Sequence, residues 1–264
     1  MRTALLVSAV LAGSAFVATP ALADDPTAPP SAFTITGSAG VWSQYRFRGI
    51  SQSNNRPVFQ GSVTVAHASG FYLSTWGSSA SAGNSTVNIG GSEIDVYGGY
   101  THALGSTGVT FDGGLYGYLY PGAPAGNYYE VYGSLAKTYG PATGKIGVNI
   151  APDQKAFDYY SGANYNVYVY GELGFSVPGT AFSIHSHLGH TGGGFDYTKD
   201  YIDYNVGVSY KWKSLTFDVS GVGTNVSHKN ARNNPLVDQT GTPSAFQTYR
   251  AAKAVVVGSI SASF

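Results

Sequence analysis

The feature that most constrains this chain is an alternation of apolar and polar side chains with a period of two residues. In the segment 91–103, for example, Ile94 and Val96 share one parity, while Glu93 and Asp95 share the other. Breaks rich in Gly, Pro, Asn and Ser separate one such segment from the next. The alternation predicts strands with one apolar and one polar face, and its recurrence over segments of about ten residues is typical of transmembrane β-barrels.

Helices do not offer this chain another way across a membrane, because no run after residue 23 reaches the roughly 18 apolar residues that a helix needs. We count twelve alternating segments, at residues 33–47, 58–67, 70–79, 91–103, 108–120, 127–138, 144–151, 164–176, 181–190, 201–212, 214–225 and 251–264. An even number is usual for a bacterial single-chain barrel. We therefore predict an all-β fold, a 12-stranded antiparallel transmembrane β-barrel. Ten or fourteen strands remain alternatives because the seventh and eleventh segments are the least regular.

The composition agrees with an exterior that faces lipid. Charged residues make up 11% of the chain, against about 25% in ordinary soluble domains. A charge at mid-bilayer depth costs roughly 2 to 4 kcal/mol, so a lipid-facing surface carries few of them. The 36 glycines allow strands to approach closely, and the 21 tyrosines suit the headgroup zone of a membrane. A secreted Gly-rich β-sandwich shares part of this composition. The formal net charge of +0 argues against nucleic acid as a partner, and the absence of cysteine excludes disulfides and thiolate chemistry.

Both ends of the chain carry signals. Residues 1–23 read as a signal peptide, with an apolar stretch from residue 4 to about 17 and a small-residue cleavage motif that ends at Ala23. Residues 24–32 would then form a periplasmic leader, and residues 33–264 the barrel. In the last segment Gly258, Ile260 and Phe264 share one parity. Since the last residues of a soluble domain usually fray, this amphipathic ending predicts that the terminus is paired in a strand.

The connections between the predicted strands differ in length. The short ones lie at residues 67–70, 104–107, 139–143, 177–180 and 213–214, and the others are mostly longer. Short turns on one side and long loops on the other predict that turns and termini are periplasmic and that the loops are extracellular. The loop at 226–250 is the longest, and it would narrow a pore if it folded inward.

Parity also assigns the charged residues to faces. The acids predicted to point inward are Glu93, Asp95, Asp112, Glu130, Glu172, Asp203 and Asp218, and the inward bases are Arg46, Arg48, Lys145, Lys211 and Lys253. The small excess of acids predicts at most a weak cation preference. Arg46 and Arg48 share an inward parity near the outer end of the first strand. They either create a transverse field that orients solutes, or pair with inward acids as struts.

Aromatic and imidazole side chains are the other candidates for the lumen. Tyr116, Tyr118, Tyr168 and Tyr170 would offer ring faces and hydroxyls to flat or sugar-like solutes, although simple packing of the interior explains them better. His185 and His187 point the same way on one strand. They lack a third ligand at metal-binding spacing, so we predict neither a metal nor a cofactor.

A family resemblance adds to these inferences. The block from Tyr45 to Ser53, the later Gly70-Phe71-Tyr72, and the run from Asp200 to Tyr204 resemble the TorF family of Gram-negative porins. The similarity extends from about residue 38 to 264, and it implies an outer-membrane β-barrel with channel activity but no particular substrate. The terminal strand, with Gly258, Ile260 and Phe264, also resembles the assembly signal that the barrel-insertion machinery recognises.

The function predicted from the sequence is a porin for passive diffusion of small hydrophilic solutes through a polar, Tyr-rich lumen. Its expected partners are outer-membrane lipid, the barrel assembly machinery and small polar solutes. One alternative is a structural or adhesive barrel with an occluded lumen. A second and weaker alternative is an outer-membrane lipid hydrolase, but G-x-S-x-G, H-E-x-x-H and phosphate-loop motifs are missing from the sequence.

Overall fold

The computed structural model describes residues 32–81, 89–157, 163–235 and 244–264. The predicted signal peptide and the predicted leader up to residue 31 lie outside these described residues. The strands are β1 Phe33–Trp42, β2 Arg46–Phe47, β3 Ile50–Ser51, β4 Val58–His67, β5 Phe71–Ser79, β6 Ser92–Ala103, β7 Val109–Leu119, β8 Tyr128–Tyr139, β9 Ala142–Ala151, β10 Asn166–Ser176, β11 Phe182–Gly193, β12 Tyr201–Trp212, β13 Leu215–Thr224 and β14 Val255–Ser263. Short 3-10 helices span Pro124–Gly126 and Lys155–Phe157, and the α-helices are α1 His228–Asn233 and α2 Ala245–Ala252.

Twelve of these strands, all except β2 and β3, form a closed ring in which neighbours pair antiparallel in chain order. The ring closes where β1 pairs with β14, with Val41 opposite Ile260. Phe264 continues this pairing to the last residue: its N–H donates to Gly37 O at 3.0 Å, and its carbonyl accepts from Gly37 N at 2.9 Å. The predicted 12-stranded antiparallel barrel is therefore confirmed, and it has no free edge.

The two faces of the ring follow the predicted parity. Large apolar side chains cover the outside, among them Phe59, Leu115 and Val256, which are 74%, 67% and 70% exposed to the surroundings of the chain. Polar side chains of the same strands point inward, as Glu93 and Asp95 do in β6. This arrangement arises because successive side chains of a pleated strand lie on opposite faces.

The two ends of the barrel differ. At one end, the turn end, the chain reverses through the short turns after β4, β6, β8, β10 and β12. Gly105, Gly140 and Gly179 adopt positive φ there, which glycine does without steric cost. The other end, the loop end, carries the longer connections that follow β1, β5, β7, β9, β11 and β13. Among the described residues, no helix is both long and apolar enough to span a membrane.

Two predicted strand boundaries are wrong by four or more residues, and both lie at the loop end. The first strand ends at Trp42 instead of residue 47, because the chain leaves the wall and residues 44–53 fold into the barrel. The last strand begins at Val255 instead of residue 251, since α2 occupies the chain up to Ala252. In both places the backbone leaves the ladder for contacts inside the barrel.

Candidate functional site

Residues 44–53, which we call the inserted segment, form a small hairpin inside the barrel at its loop end. Strands β2 and β3 pair there, and Gln52 N donates to Tyr45 O at 3.0 Å. Arg48 and Gly49 make the turn with φ values of 45° and 78°. All residues of the segment are buried except Phe47, which is half-buried. Such burial of a polar loop indicates that it is packed on all sides.

The inserted segment reaches strands all around the ring. The Tyr45 ring packs on Trp76 of β5 at 5.4 Å between centroids. A Cβ atom at Gly49 would contact side chains of Asp203 in β12 and Thr224 in β13. Arg48 extends to β8 and β10 on the remaining side. The segment therefore crosses the lumen and fills it at the loop end.

Arg48 forms the central contact of this plug. Its Nη2 atom donates to both carboxylate oxygens of Glu130, at 2.7 and 2.8 Å, and the two side chains are 5% and 0% exposed. The guanidinium also lies 4.2 Å from the ring centroid of Tyr168, a cation–π contact. Glu130 accepts further bonds from Tyr118 OH at 3.1 Å and Asn149 Nδ2 at 2.9 Å. Burial alone would lower the pKa of Arg48, but the facing carboxylate raises it above the usual value, so Arg48 stays protonated.

Arg46 has a different environment from Arg48, although the sequence suggested the same role for both. Its acceptors are neutral oxygens, namely Gly49 O, Ala251 O, Lys253 O, Gln44 Oε1 and Asn55 Oδ1, at 2.7 to 3.2 Å. Burial lowers the pKa of the Arg46 guanidinium to about 10, so it remains charged at neutral pH. Since two of these acceptors lie at the end of α2, Arg46 connects the inserted segment to the last loop. The placement of both arginines along the first strand is thus wrong, because they lie on the hairpin.

The described part of the last loop packs over the inserted segment. Ile50 lies in one apolar cluster with Tyr197, Tyr201, Val226 and Ala252. Tyr197 OH donates to the carbonyl of Thr248 at 3.1 Å within α2. Residues 236–243 of this loop lie outside the described residues. The inward packing of α2 adds to the closure of the loop end.

Aromatic rings fill the space around Arg48 and Glu130. Tyr118 stacks on Tyr128 with centroids 4.2 Å apart, and Tyr97 stacks on Tyr116 at 4.6 Å. The cluster also contains the rings of Tyr120, Phe157, Phe47, Phe195, Tyr72, Trp76 and Tyr132. Tyr116 and Tyr118 are only 3% and 2% exposed, so they pack against protein in this structure instead of facing solute.

A second group of polar side chains lies on the wall formed by β9 to β12. Lys145 Nζ is 3.8 Å from Glu172, whose other oxygen is 3.3 Å from His187 Nδ1. His187 Nε2 lies 3.2 Å from Asp203 and 2.6 Å from Tyr168 OH. Several of these side chains keep partial exposure, such as 23% for His187 and 16% for Glu172. This charged row therefore remains within reach of a small solute.

Tyr170 belongs to the same wall, with its ring centroid 5.3 Å from Lys145 Nζ and 5.7 Å from the His187 ring. It is half-buried. Tyr170 is thus the one tyrosine of the four singled out from the sequence that offers appreciable surface, since Tyr116, Tyr118 and Tyr168 are buried.

His185 lies next to an acid and two serines, a combination that a hydrolase could use. Its Nε2 atom is 2.7 Å from Asp218 Oδ2. Ser209 Oγ donates to the same oxygen at 2.6 Å, and Ser220 Oγ donates to Oδ1. A catalytic triad needs the serine hydroxyl on the imidazole, whereas here both hydroxyls are bonded to the carboxylate. The cluster is thus a saturated carboxylate site.

Three further predicted acids lie inside the barrel but away from free solvent, whereas the predicted inward bases Lys211 and Lys253 are exposed. Asp112 accepts from Tyr72 OH at 2.8 Å and is 7% exposed. Glu93 and Asp95 are 1% and 3% exposed. No group of three or more His, Asp or Glu side chains arranged for a metal occurs within the described ranges. Tyr45 and Asn149 could not be recognised from the sequence as partners of the acids, because parity carries no information about depth in the barrel.

A closed antiparallel ring with an apolar exterior and a polar interior defines this chain as a porin-like barrel of the bacterial outer-membrane type. The chain belongs to the family described as "Bacterial protein of unknown function (Gcw_chp)", whose model matches residues 26–252.

Solved structures support the same class. The chain is similar to the KdgM porin, with a TM-score of 0.53 and 13% identity over 88% of this chain and 99% of that one. The KdgM porin in complex with disordered oligogalacturonate matches with the same values. The NanC porin matches with a TM-score of 0.52, 13% identity and the same coverages of 88% and 99%. At this identity the likeness shows the fold alone.

A search of curated proteins gave no match. The porin-like barrel implied by the resemblance to the TorF family is supported, but the family name is not, because the matching model has a different description.

Proposed function

We propose that this chain is an outer-membrane porin through which small hydrophilic solutes diffuse, and that the inserted segment closes its loop end in the state described. The observation that carries the proposal is the closed ring with a charged row, Lys145–Glu172–His187–Asp203, on its inner wall. The first three side chains of this row keep partial exposure. A polar row of both signs can replace part of the hydration shell of a passing solute. The plug would then set how often the lumen is open.

The orientation in the membrane is part of the proposal. The turn end and both termini would face the periplasm, and the loop end would face outward, as in other bacterial barrels. The outward Phe264, together with Gly258 and Ile260 of the same face, would serve as the assembly signal for the insertion machinery. Outer-membrane lipid would cover the apolar exterior, for which Phe59 and Leu115 are examples.

The charges of the inner wall favour cationic or neutral solutes. The described interior holds seven acids, namely Glu93, Asp95, Asp112, Glu130, Glu172, Asp203 and Asp218. Among the inward bases that the sequence suggested, Lys211 and Lys253 are exposed, and Lys253 follows α2 outside any strand. We propose that this barrel has at most a weak preference for cations.

A second candidate function is a structural barrel with a permanently occluded lumen. The burial of Arg48, Glu130 and the surrounding tyrosines favours it, because this cluster has the packing of a protein core.

Liposome swelling distinguishes the two. Proteoliposomes with a working porin swell in small sugars and amino acids, while a permanently plugged barrel gives the rate of empty liposomes. A swelling rate equal to that of empty liposomes, for both the wild type and variants of the plug, would reject the channel.

A further inference from the structure

Glu93 and Asp95 form a pair of acids at the loop end of β6, and they are more deeply buried than a lumen lining requires. The two residues are 1% and 3% exposed. Asp95 Oδ2 accepts from Tyr116 OH at 2.7 Å. One oxygen of each carboxylate, Glu93 Oε1 and Asp95 Oδ1, is buried and has no hydrogen-bond partner in the described part of the chain.

The basic side chains of the protein do not neutralise this pair. Arg48 is bound to Glu130, and Arg46 is bound to neutral oxygens. Residues 82–88, 158–162 and 236–243 contain no Lys, Arg or His, so every such side chain after residue 31 lies among the described residues. Neither Glu93 nor Asp95 takes part in any ion pair among these described residues.

Two adjacent carboxylates in such a place are neutralised either by a shared proton or by a cation from outside the chain. A buried carboxylate without compensation is costly enough that it is paired, binds a metal or becomes neutral. The ligand atoms that the side chains offer in this place are oxygens, from the two carboxylates and the phenols of Tyr45, Tyr116 and Tyr120. Hard cations such as Ca²⁺ prefer oxygen ligands, and a divalent ion cancels the two negative charges.

Tyr45 connects this pair to the plug. Its phenol is buried beside the two carboxylates, whose charges add to the effect of burial in raising its pKa. Its ring packs on Trp76, and its backbone carbonyl accepts from Gln52 within the inserted segment. An ion held by Glu93 and Asp95 would therefore fasten the inserted segment to the wall.

We propose that Glu93 and Asp95 form a buried site for a hard divalent cation, with Tyr45 and Tyr116 beside it, which stabilises the plugged state. The site has two carboxylates, so phenol oxygens and water complete its ligand shell. It goes beyond the channel proposal and does not depend on it, since an occluded structural barrel could hold the same ion.

The test measures thermal unfolding of the purified barrel in detergent after treatment with EDTA and desalting, with Ca²⁺ as the probe. Saturation to about 100 times its Kd is expected to raise the Tm by roughly 5 to 10 °C. The isosteric variant Glu93→Gln/Asp95→Asn should fold without the ion and lose this response. Glu93→Gln alone, which keeps one carboxylate, should weaken Ca²⁺ binding at least about tenfold.

Glu172→Gln is the matched control, because Glu172 is a lumen acid that already has Lys145 and His187 as partners. It should keep the full Ca²⁺ response. The proposal would be overturned if Ca²⁺ did not change the Tm of the wild type, or if Ca²⁺ still raised the Tm of the double variant. Stability that depends on pH but not on Ca²⁺ would also overturn it, and would show that the pair shares a proton.

Discussion

Arg48 and Glu130, which are 82 positions apart in the chain, form an ion pair at 2.7 Å in the interior of the barrel. The pair joins the inserted segment to β8, and its two side chains are almost inaccessible to solvent. Because a buried charge without its partner is strongly unfavourable, this contact holds the plug in place.

Replacing Arg48 by alanine should lower the free energy of unfolding by about 3 to 5 kcal/mol, since Glu130 is then left buried without its countercharge. Equilibrium urea unfolding of the barrel in detergent measures this. Adding Glu130→Gln should recover part of the loss, because the two residues act as one unit. Strictly additive losses would contradict the coupling.

Gly49→Ala should destabilise the barrel by at least about 1 to 2 kcal/mol, the usual cost of a left-handed conformation for a residue with a Cβ atom. Gly49 has a φ of 78°, and its new methyl group would contact Thr224 and Asp203. Gly133→Ala in β8 is the matched control, because nothing lies within 4 Å of its Cβ position. Equal Tm values for the two variants would contradict the close packing of the Gly49 turn against Thr224 and Asp203.

Glu172→Gln should reduce the cation preference of the open channel. Glu172 is a partly exposed acid of the inner wall, 16% accessible at its side chain, so its charge acts directly on passing ions. We expect a wild-type cation-to-anion permeability ratio of about two to three, and a ratio near one in the variant. Reversal potentials in a salt gradient give these ratios. A clear anion preference of the wild type would contradict the proposed charge of the lumen.

Phe264→Ala should reduce assembly into the outer membrane severalfold if the terminal strand is the assembly signal. The Phe264 ring lies over Gly37 on the outer face, where its backbone also pairs. Phe59→Ala is the control, an exposed outward phenylalanine of β4 near the loop end. The heat-modifiable fraction in isolated outer membranes measures assembly. An equal heat-modifiable fraction in both variants would contradict the role of Phe264 in an assembly signal.

The sequence allowed the wall of this barrel to be predicted well. Alternation with a period of two residues located all twelve ring strands, because it follows directly from the pleat and from lipid on one side. The lengths of the connections separated the turn end from the loop end, because these lengths can be read from the spacing of the alternating segments. These features depend on neighbours in the chain, so a single sequence contains them.

The contents of the lumen could not be predicted in the same way. Arg46 and Arg48 have the parity of a continuing strand, and only contacts with Glu130 and with Ala251, 205 residues away, draw them off the wall. Parity also gives the side of a residue but not its depth. It therefore grouped Glu93, which is 1% exposed, with Glu172, whose side chain keeps 16% of its surface accessible.

Single-channel recording of the wild type and of Arg48→Ala in planar bilayers shows whether the inserted segment closes a channel. We expect the wild type to be mostly closed with brief openings. Loss of Arg48 should raise the open probability at least about tenfold, because it removes about 1.4 kcal/mol or more of stability from the closed state. The same conductance and open probability in both proteins, despite a lower Tm of the variant, would show that the inserted segment does not close a channel.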